Sequence, residues 1–599
     1  MNRKYLDNLK EAILNLENPQ DIDKFLPHMS AYEFIYECNK NRLSSYAINY
    51  LGRRYTYEEF FENVQKYAKG YKELGVKPKD RVGLSMLATP EGIMSFYALN
   101  LLGAEVFMIN GTHEKDAIRG EIKRAKADLI IMNDIFYDKD ISSYCDEFNT
   151  TKVVTVGLDE STPLGFYGDI AKLKFVNVLK SMTGYRIKDD KVIPWKEFVK
   201  ISDNSKLEVK PFYEKGAGAV ISGTSGSTGD PSYPVLTNDS LNASALQLAM
   251  SCTDFEPGDA HLTTLPLWIL YSLYNCVQEV FVFNAEVELD PIFDSKHVSK
   301  RFKQYRFNHW NTIPAYINDM VKDAGMNSVK LNGRMKTVTT GGDFRTPKTK
   351  ELGEKTLKKA GSEIEVGQGY GSTQQGVCFG YTYKKGCPAD SIGYPLVGNR
   401  FKIIDEKTNE ELGPNQEGLL YTYSPTIMIG YDNDPEKTEF SLSKDEKGLT
   451  WYYTEDYAMY DDDGRVYILD RAGRVVMTKD SFGNATKFFP GKIKQIISTH
   501  PCINECEVVA IPDDKRIAVP VAYIVLSNEN IYSDTFVEEI KNYCLEMKME
   551  PYTIPVDFVF VSEIPKKPSL KADYNKMRTD YINNKEQVHT RKRTIFNKR

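Results

Sequence analysis

Residues 81–132 read RVGLSMLATPEGIMSFYALNLLGAEVFMINGTHEKDAIRGEIKRAKADLIIM. Short apolar runs alternate here with stretches of helical spacing, in the order 81–87, 92–102, 105–109, 117–127 and 128–132. Strands that alternate with crossover helices form a mostly parallel sheet with helices packed on its faces. The sequence therefore predicts an α/β fold.

The chain on either side of this stretch indicates more than one domain. Residues 56–74 have a capping-box start and apolar residues at helical spacing, which predicts an amphipathic helix. Residues 401–468 change to short strands between turn sequences, which predicts a β-rich subdomain. Beyond Gly473, strands and helices alternate again as in a small α+β unit. We predict an N-terminal domain over 1–470 and a small mobile C-terminal domain over 471–599, with a hinge near Gly473.

Charge and composition exclude several classes of protein. The 599 residues include 77 Lys and Arg against 83 Asp and Glu, so a net charge of −6 gives no field that attracts nucleic acid. The first residues lack the apolar region of a signal peptide, which predicts a cytoplasmic protein. The 9 cysteines are scattered and the 7 histidines form no metal-binding spacing. We therefore expect reduced cysteines and no histidine-bound metal.

Two segments invite a membrane or binding interpretation that the sequence does not favour. Residues 262–283 are nearly uncharged, but Pro266 and Glu279 fall inside them, so we predict a buried strand and helix rather than stable membrane insertion. Residues 585–599 are rich in Lys and Arg. We predict that they form a solvated, frayed tail rather than a binding arm.

Residues 221–231, ISGTSGSTGDP, form a candidate phosphate loop directly after an apolar strand. Glycine allows close approach to a phosphate, and Ser and Thr hydroxyls donate hydrogen bonds to its oxygens without bulk. The GxxxxGK[ST] pattern is absent, which disfavours a P-loop NTPase. The loop alone leaves phosphate binding and a flexible linker both open.

Further segments change this balance, because together they resemble the adenylate-forming superfamily of acyl-CoA synthetases, adenylation domains and luciferases. Residues 224–232, TSGSTGDPS, are similar to that family's TSG[ST]TGxPK loop. Other similar segments follow in family order and cover nearly the whole chain: GYGSTQ at 369–374, WYYTED at 451–456, DR at 470–471 and PKKPSLK at 565–571. Weaker similarities lie at 55–59, at Gly341 and Gly342, and at 430–438.

The resemblance implies a two-step reaction. A carboxylate attacks the α-phosphorus of ATP and releases pyrophosphate, and a thiol of coenzyme A or of a phosphopantetheine arm then attacks the acyl-adenylate. ATP, Mg²⁺ and coenzyme A or phosphopantetheine are the implied cofactors. The implied partners are a small-molecule carboxylic acid and, for the second kind of thiol, an acyl carrier protein. Such catalysis depends on positioning and charge stabilisation.

The resemblance also implies roles for individual residues. Asp456 would accept hydrogen bonds from both ribose hydroxyls, Arg471 would contact the ribose, and Lys571 would bridge the nucleophile and the α-phosphate as the catalytic cation. Tyr370 would stack on adenine. The remaining nucleotide-binding residues are Thr224, Ser225, Gly226, Ser227, Thr228, Gly229, Gly342, Gly371, Ser372 and Thr373. The acyl pocket would involve Trp268, Tyr271, Trp310, Gly341 and Gly369, and the Mg²⁺ ligands would be Gln374 and Thr224.

Four positions depart from the family pattern. Ser232 stands where the phosphate loop has a lysine, and Gln374 stands where a glutamate is expected to bind Mg²⁺. Leu570 replaces the glycine before the catalytic lysine, and Gly473 replaces a polar hinge residue. These departures leave open a catalytically weakened nucleotide-binding homologue. The presence of Asp456, Arg471 and Lys571 favours an active enzyme.

The acyl pocket indicates the kind of acid. Residues 265–271 contain no acidic side chain to pair with an α-ammonium group, which favours an apolar or aromatic acid over an amino acid. We therefore expect an ATP-dependent acid–thiol ligase that transfers the acyl group to coenzyme A. A carrier-protein phosphopantetheine thiol remains open as the acceptor.

Overall fold

The computed structural model describes residues 3–162, 189–224, 231–251, 254–527, 533–566 and 572–591. Within those ranges, the stretch quoted above lies in an eight-stranded sheet. Its strands run in spatial order Gly430–Tyr431, Pro234–Thr237, Gly218–Ser222, Glu105–Met108, Arg81–Ser85, Leu129–Asn133, Lys152–Val156 and Val192–Pro194. The six from Gly218–Ser222 onward pair in parallel. The predicted α/β fold with parallel sheets is confirmed.

Both faces of this sheet are covered, because successive apolar side chains of its strands point to opposite faces. Leu129 and Ile131 pack into the main core with the helix Pro90–Leu101, which is buried along its whole length. Ile130 and Met132 point to the opposite face and pack with the helix Lys115–Ala125. A strand buried on both faces reads as a continuous apolar run, as 129–132 does.

A second sheet, of nine described strands, packs on the same main core. In spatial order the strands are Tyr394–Pro395, Gly380–Tyr381, Val366–Tyr370, Thr337–Thr340, His309–Thr312, Ala260–Thr263, Glu286–Leu289, Tyr46–Tyr50 and Arg53–Thr56. The strands from Val366–Tyr370 to Tyr46–Tyr50 are parallel, so their carboxyl ends meet at one edge.

The predicted helices are present in these two layers, although those predicted over 92–102 and 117–127 begin two residues earlier, at Pro90 and Lys115. Thr56 caps the helix Tyr57–Glu73 with both bonds of a capping box. Among the described residues before 400, the other helices of eight or more residues are Arg3–Leu14, Ala31–Asn39, Pro90–Leu101, Lys115–Ala125, Lys139–Glu147, Trp195–Asn204, Asn238–Ser251, Pro314–Lys322 and Pro347–Lys359. Shorter ones are Val298–Gln304, Leu270–Leu273, the π-helical Tyr274–Gln278 and Glu279–Val282.

The segment 262–283 forms the end of a buried strand and a buried helical stretch, which confirms that prediction. Throughout the described ranges, no helix combines the length and apolar character needed to cross a membrane.

Residues 400–471 form an antiparallel sheet, which confirms the predicted β-rich subdomain. Its strands are Arg400–Ile404, Gly418–Tyr423, Leu442–Lys444, Thr450–Tyr460 and Val466–Arg471, and the helix Pro435–Ser441 lies between two of them.

The chain after Arg471 forms a smaller α+β unit. Its strands are Val476–Lys479, Ala485–Phe488, Ile503–Asp513, Ile517–Leu526 and Asp557–Phe560, and its helices are Pro490–Ile497, Asp534–Glu546 and Tyr574–Arg591. The last helix corrects the predicted frayed tail in part, because residues 585–591 continue it. That run contains no glycine or proline to end a helix. Residues 592–599 lie outside the described ranges.

Candidate nucleotide and acyl site

The predicted phosphate loop leaves the sheet at the carboxyl end of the strand Gly218–Ser222. Thr224 and Ser232 close its mouth: the amide of Thr224 donates to the carbonyl of Ser232 at 2.8 Å, and the amide of Ser232 donates to Thr224 Oγ1 at 3.3 Å. Ser225, Gly226, Ser227, Thr228 and Gly229 lie outside the described ranges. The two ends of the loop are therefore held together.

Three predicted nucleotide-binding residues meet in one cluster. Asp456 accepts a hydrogen bond from the hydroxyl of Tyr370, and its other carboxylate oxygen lies 3.0 Å from Nε of Arg471. Antiparallel pairing of Asp456 with Arg471 sets this geometry. Tyr370 arrives from the carboxyl end of a strand in the nine-stranded sheet. The cluster thus joins that sheet to the antiparallel sheet immediately before the predicted hinge.

Opposing effects act on the Asp456 carboxyl group, which is only 5% exposed. Burial raises the pKa of Asp456, whereas the Arg471 guanidinium and the Tyr370 hydroxyl act to lower it. The charge of Asp456 in turn raises the pKa of Arg471. The arrangement places a desolvated carboxylate, an excellent acceptor for two hydroxyl groups, beside a permanent cation.

The turn after Tyr370 is tightly packed. A Cβ atom added at Gly371 would lie 2.0 Å from the carbonyl oxygen of Val377, so only glycine fits there. Thr373 lies in a 3₁₀ turn, Thr373–Gln375, and the Ser372 hydroxyl donates to the side-chain carbonyl of Gln375 at 3.1 Å. This packing fixes the predicted nucleotide-binding turn against the Asp456 cluster.

The proposed metal ligands supply only neutral oxygens. The side-chain amide of Gln374 donates to the hydroxyl of Tyr431 at 3.2 Å, and Thr224 Oγ1 accepts from Ser232. Within the described ranges, no three His, Cys, Asp or Glu side chains gather closely enough to bind a metal. Mg²⁺ prefers carboxylates, water and phosphate oxygens. These two residues therefore fit a protein-held Mg²⁺ poorly.

On the acyl side, the structure brings together Tyr271 and Gly341. A Cβ atom at Gly341 would lie 3.3 Å from the Tyr271 ring, and the buried Tyr271 hydroxyl has no hydrogen-bond partner among the described residues. Trp268 lies near the phosphate loop, because its carbonyl accepts from the hydroxyl of Ser222 at 2.8 Å. An unpartnered hydroxyl beside a glycine is suited to contact a bound molecule.

Trp310, Gly342 and Gly369 have different surroundings. Trp310 is fully buried in the main core, with its ring edge-on to Phe302 at 5.7 Å. A Cβ at Gly342 would meet no described atom within 4 Å, and one at Gly369 would make only ordinary contacts. Gly342 and Gly369 therefore leave room for a ligand.

The predicted catalytic residue Lys571 lies outside the described ranges, but both ends of its segment are defined. Lys566 and Ala572 pair in an isolated bridge, and the amide of Asp573 donates to the carbonyl of Pro565 at 2.8 Å. Tyr574 follows, with its ring 3.9 Å from the Arg474 guanidinium. The base of the segment thus packs against the residues that follow Arg471.

Sequence reasoning missed two features of this region. The ammonium of Lys437 donates to the hydroxyl of Ser232, although only its place in the segment 430–438 could have drawn attention to it. Glu455, where the resembled WyrTGD motif has glycine, adopts a left-handed φ of 58°. Comparison with that motif could have indicated the left-handed conformation, because the glycine of the motif stands at the position of Glu455.

The two α/β layers and the antiparallel sheet form a large unit, and a small α+β unit follows it. A family model for AMP-binding enzymes matches residues 36–432, and a model for the C-terminal domain of AMP-binding enzymes matches residues 492–571. The chain belongs to the AMP-binding enzyme family. The predicted superfamily and the predicted enzyme class, an acyl-CoA synthetase-like ligase that forms an acyl-adenylate, are confirmed at this level.

Similar proteins cover nearly the whole chain. A 4-coumarate–CoA ligase of Nicotiana tabacum is 26% identical over 92% of this chain and 94% of its own length. Another from Arabidopsis thaliana is 28% identical over 87% of this chain and 85% of its own. Among solved structures, ATP-bound MatB from Rhodopseudomonas palustris has a TM-score of 0.76 at 19% identity, with 92% of this chain and 99% of that chain covered. At that identity the structural likeness shows the fold alone.

Proposed function

We propose that the protein is an ATP-dependent ligase that adenylates an apolar or aromatic carboxylic acid and transfers the acyl group to coenzyme A. The cluster of Tyr370, Asp456 and Arg471 carries this proposal, because it joins residues from three separate motifs that the family resemblance assigns to one nucleoside. In this proposal Asp456 binds the ribose hydroxyls and residues 224–229 hold the β- and γ-phosphates. Lys571 acts from a C-terminal domain that begins at residue 471.

The surroundings of Tyr271 support an uncharged acyl group. Glu279 is among the ionisable groups that interact electrostatically with Tyr271, and burial raises the pKa of Glu279 to about 8. Glu279 is therefore mostly neutral at pH 7 and does not provide a counter-ion for the ammonium group of an amino acid. The aromatic acid in the names of the 4-coumarate–CoA ligase relatives agrees with this preference.

In this proposal Mg²⁺ binds to the protein together with ATP. Gln374 and Thr224 offer it only weak neutral ligands, so we assign its binding chiefly to the phosphates and assign no catalytic step to it. Metal-dependent activity with little metal affinity in the absence of ATP would agree with this view.

The test is acid-dependent exchange of labelled pyrophosphate into ATP over a panel of aryl, alkyl and amino acids. Asp456→Ala should lower the exchange by about 100-fold or more, since it removes a charge-assisted acceptor from the ribose. Asp463→Ala, in an exposed turn, is the control. Full exchange by Asp456→Ala would contradict the role of this cluster.

The thiol acceptor requires a second assay. Purified enzyme, ATP and an acid active in the exchange assay should yield an acyl-CoA thioester, and Lys571→Ala should lose the adenylation step. Efficient transfer only to a phosphopantetheinylated carrier protein would replace coenzyme A as the acceptor and support the carrier-loading alternative. We also propose that this chemistry takes place in the cytoplasm.

A catalytically weakened nucleotide-binding homologue is the second candidate. The neutral side chains of Ser232 and Gln374, where the family pattern is charged, favour it. Calorimetric ATP binding together with no exchange across the whole acid panel would support this candidate against the ligase.

A further inference from the structure

A lysine from a distant part of the chain reaches the mouth of the predicted phosphate loop. Lys437 lies in the first turn of the helix Pro435–Ser441, which Asp434 caps by accepting from the Lys437 amide at 3.0 Å. Antiparallel pairing of Tyr431 with Pro234 brings this helix beside the loop. The Lys437 ammonium consequently donates to the hydroxyl of Ser232.

The position that Lys437 reaches is the one where the resembled loop has its own lysine. Ser232 also donates its amide to Thr224, the first residue of that loop. The Lys437 ammonium therefore lies within two hydrogen bonds of Thr224, although 205 residues separate it from Ser232 along the chain. Lys437 therefore places a cation next to Ser232, where the resembled loop has its lysine.

Within the described residues, no carboxylate lies within salt-bridge distance of the Lys437 ammonium. The centre of the Tyr431 ring lies 5.3 Å from it. The hydroxyl of that same tyrosine receives the hydrogen bond from Gln374. A half-buried cation with a neutral acceptor and an aromatic ring as its contacts is available to bind an anion.

We propose that Lys437 binds the β- and γ-phosphates of ATP, and the pyrophosphate released, in place of a loop lysine. This inference rests on the proposed function and names a binding residue for its nucleotide. A lysine is a point charge on a flexible stem, so the helix 435–441 can supply the cation as well as the loop could. Binding would exchange the Ser232 hydroxyl for phosphate oxygens.

The test compares ATP with AMP, because only ATP carries the groups that Lys437 contacts. Calorimetry on Lys437→Gln should show about 10-fold weaker binding of ATP, and unchanged binding of AMP. The KM for ATP should rise to a similar extent, while the KM for the acid stays constant. Lys444→Gln, on an exposed strand nearby, is the matched control and should behave as wild type.

Relocation of the cation provides the decisive variant. Ser232→Lys combined with Lys437→Gln should recover most of the ATP affinity, since the charge returns to the same place. Equal losses for ATP and AMP, unchanged ATP binding by Lys437→Gln, or no recovery in the double variant with an unchanged unfolding midpoint would each overturn the inference. Lys437→Arg, which keeps the charge, should retain at least half of the ATP affinity.

These results separate the inference from the proposed function. ATP binding that depends on Lys437, with no acid-dependent exchange in wild type, would refute the ligase and leave the inference standing. Exchange that is active in wild type and insensitive to Lys437→Gln would refute the inference alone. A wild-type protein that does not bind ATP would refute both.

Discussion

At the scale of single residues, the pKa of Asp456 controls how the candidate site responds to acid. Burial raises that pKa, and the Arg471 guanidinium 3.0 Å away opposes the effect. Because the ionised form of a carboxyl group is lost as the pH falls through its pKa, anything that raises the pKa moves the loss to higher pH. Arg471 therefore extends the working range of Asp456 towards acid.

Arg471→Gln should move the acid limb of the pH profile to higher pH. Without the cation, the pKa of Asp456 rises further, so kcat/KM for ATP should fall at a pH where wild type retains activity. The measurement is the profile between pH 5 and 8, and Arg465→Gln, which loses ion pairs with Asp461 and Asp463, is the control. Superimposable profiles for Arg471→Gln and wild type would contradict the coupling.

Glu279 has a buried carboxyl group whose effect falls on stability. Its pKa is about 8 in the folded protein, against an ordinary value of 4.5, and burial is the cause. The folded state therefore holds a proton that the unfolded state releases over this interval, so the free energy of unfolding decreases as the pH rises from about 5 to 8.

Glu279→Gln should flatten this pH dependence. The amide cannot ionise, so the variant should gain stability relative to wild type at pH 8, by an amount on the order of a few kcal/mol, and much less at pH 5.5. Unfolding midpoints in urea at the two pH values measure the difference. Exposed Glu446→Gln is the control. An equal change at both pH values would point to packing rather than charge.

At the scale of an element, the strand Thr450–Tyr460 contains a local strain beside the nucleotide cluster. Glu455 has a left-handed φ of 58°, and the next residue is Asp456. The Asp456 amide donates to Thr454 Oγ1 at 3.1 Å, across an irregularity in the pairing of this strand with Gly418–Tyr423. The sequence therefore imposes a side chain on a conformation that favours glycine.

Glu455→Gly should stabilise the protein by about 0.5–1 kcal/mol, because relief of the left-handed strain exceeds the added flexibility of the unfolded chain. Thermal unfolding measures the shift. Glu455→Ala separates backbone strain from charge, since alanine keeps the Cβ atom and should give no such gain. Equal stabilisation by both variants would mean that the glutamate charge, not its conformation, carries the cost.

The same elements show which parts of the structure the sequence can predict. The helix Tyr57–Glu73 has its start encoded locally by Thr56 and Glu59, and strand 129–133 by its apolar run, so both were predicted. The pairing of Tyr431 with Pro234 joins residues almost 200 positions apart and has no local signal. The contact of Lys437 with Ser232 depends on that pairing, which is why it was missed.

The candidate site residues also differ in how well the sequence predicts them. Tyr370, Asp456 and Arg471 were found because each lies in a short motif of a known family, and the structure brings them together. The resemblance assigns Trp310 to the acyl pocket by its position in the family pattern, and its full burial is equally typical of a core residue. The domain boundary at 470–471 and the roles of Lys571 and residues 225–229 stay predictions.

At the scale of the whole molecule, polar contacts and an apolar cluster, in which Tyr457 and Leu469 pack with Phe489, hold the C-terminal unit against the rest of the chain. Lys348, near the start of the helix Pro347–Lys359, donates its ammonium to the carbonyls of Pro501, at 2.9 Å, and Ile503. Lys492 pairs with Glu417 at 2.7 Å. Polar contacts of this kind can be replaced by water at small net cost, whereas exposure of the apolar cluster to water would cost free energy.

Lys348→Met should loosen this contact without unfolding either side. It leaves two carbonyl groups without their donor, so amide exchange around residues 499–506 should become roughly tenfold faster, as measured by hydrogen exchange with mass spectrometry. Lys350→Met, on the same helix, loses only its pairing with Glu354 and Glu365 on its own side and should leave that exchange unchanged.

Under the proposed function, a loosened domain presents Lys571 less often, so adenylation should slow while ATP affinity stays constant. Unchanged exchange around 499–506 in Lys348→Met would show that the contact does not hold the small domain in place.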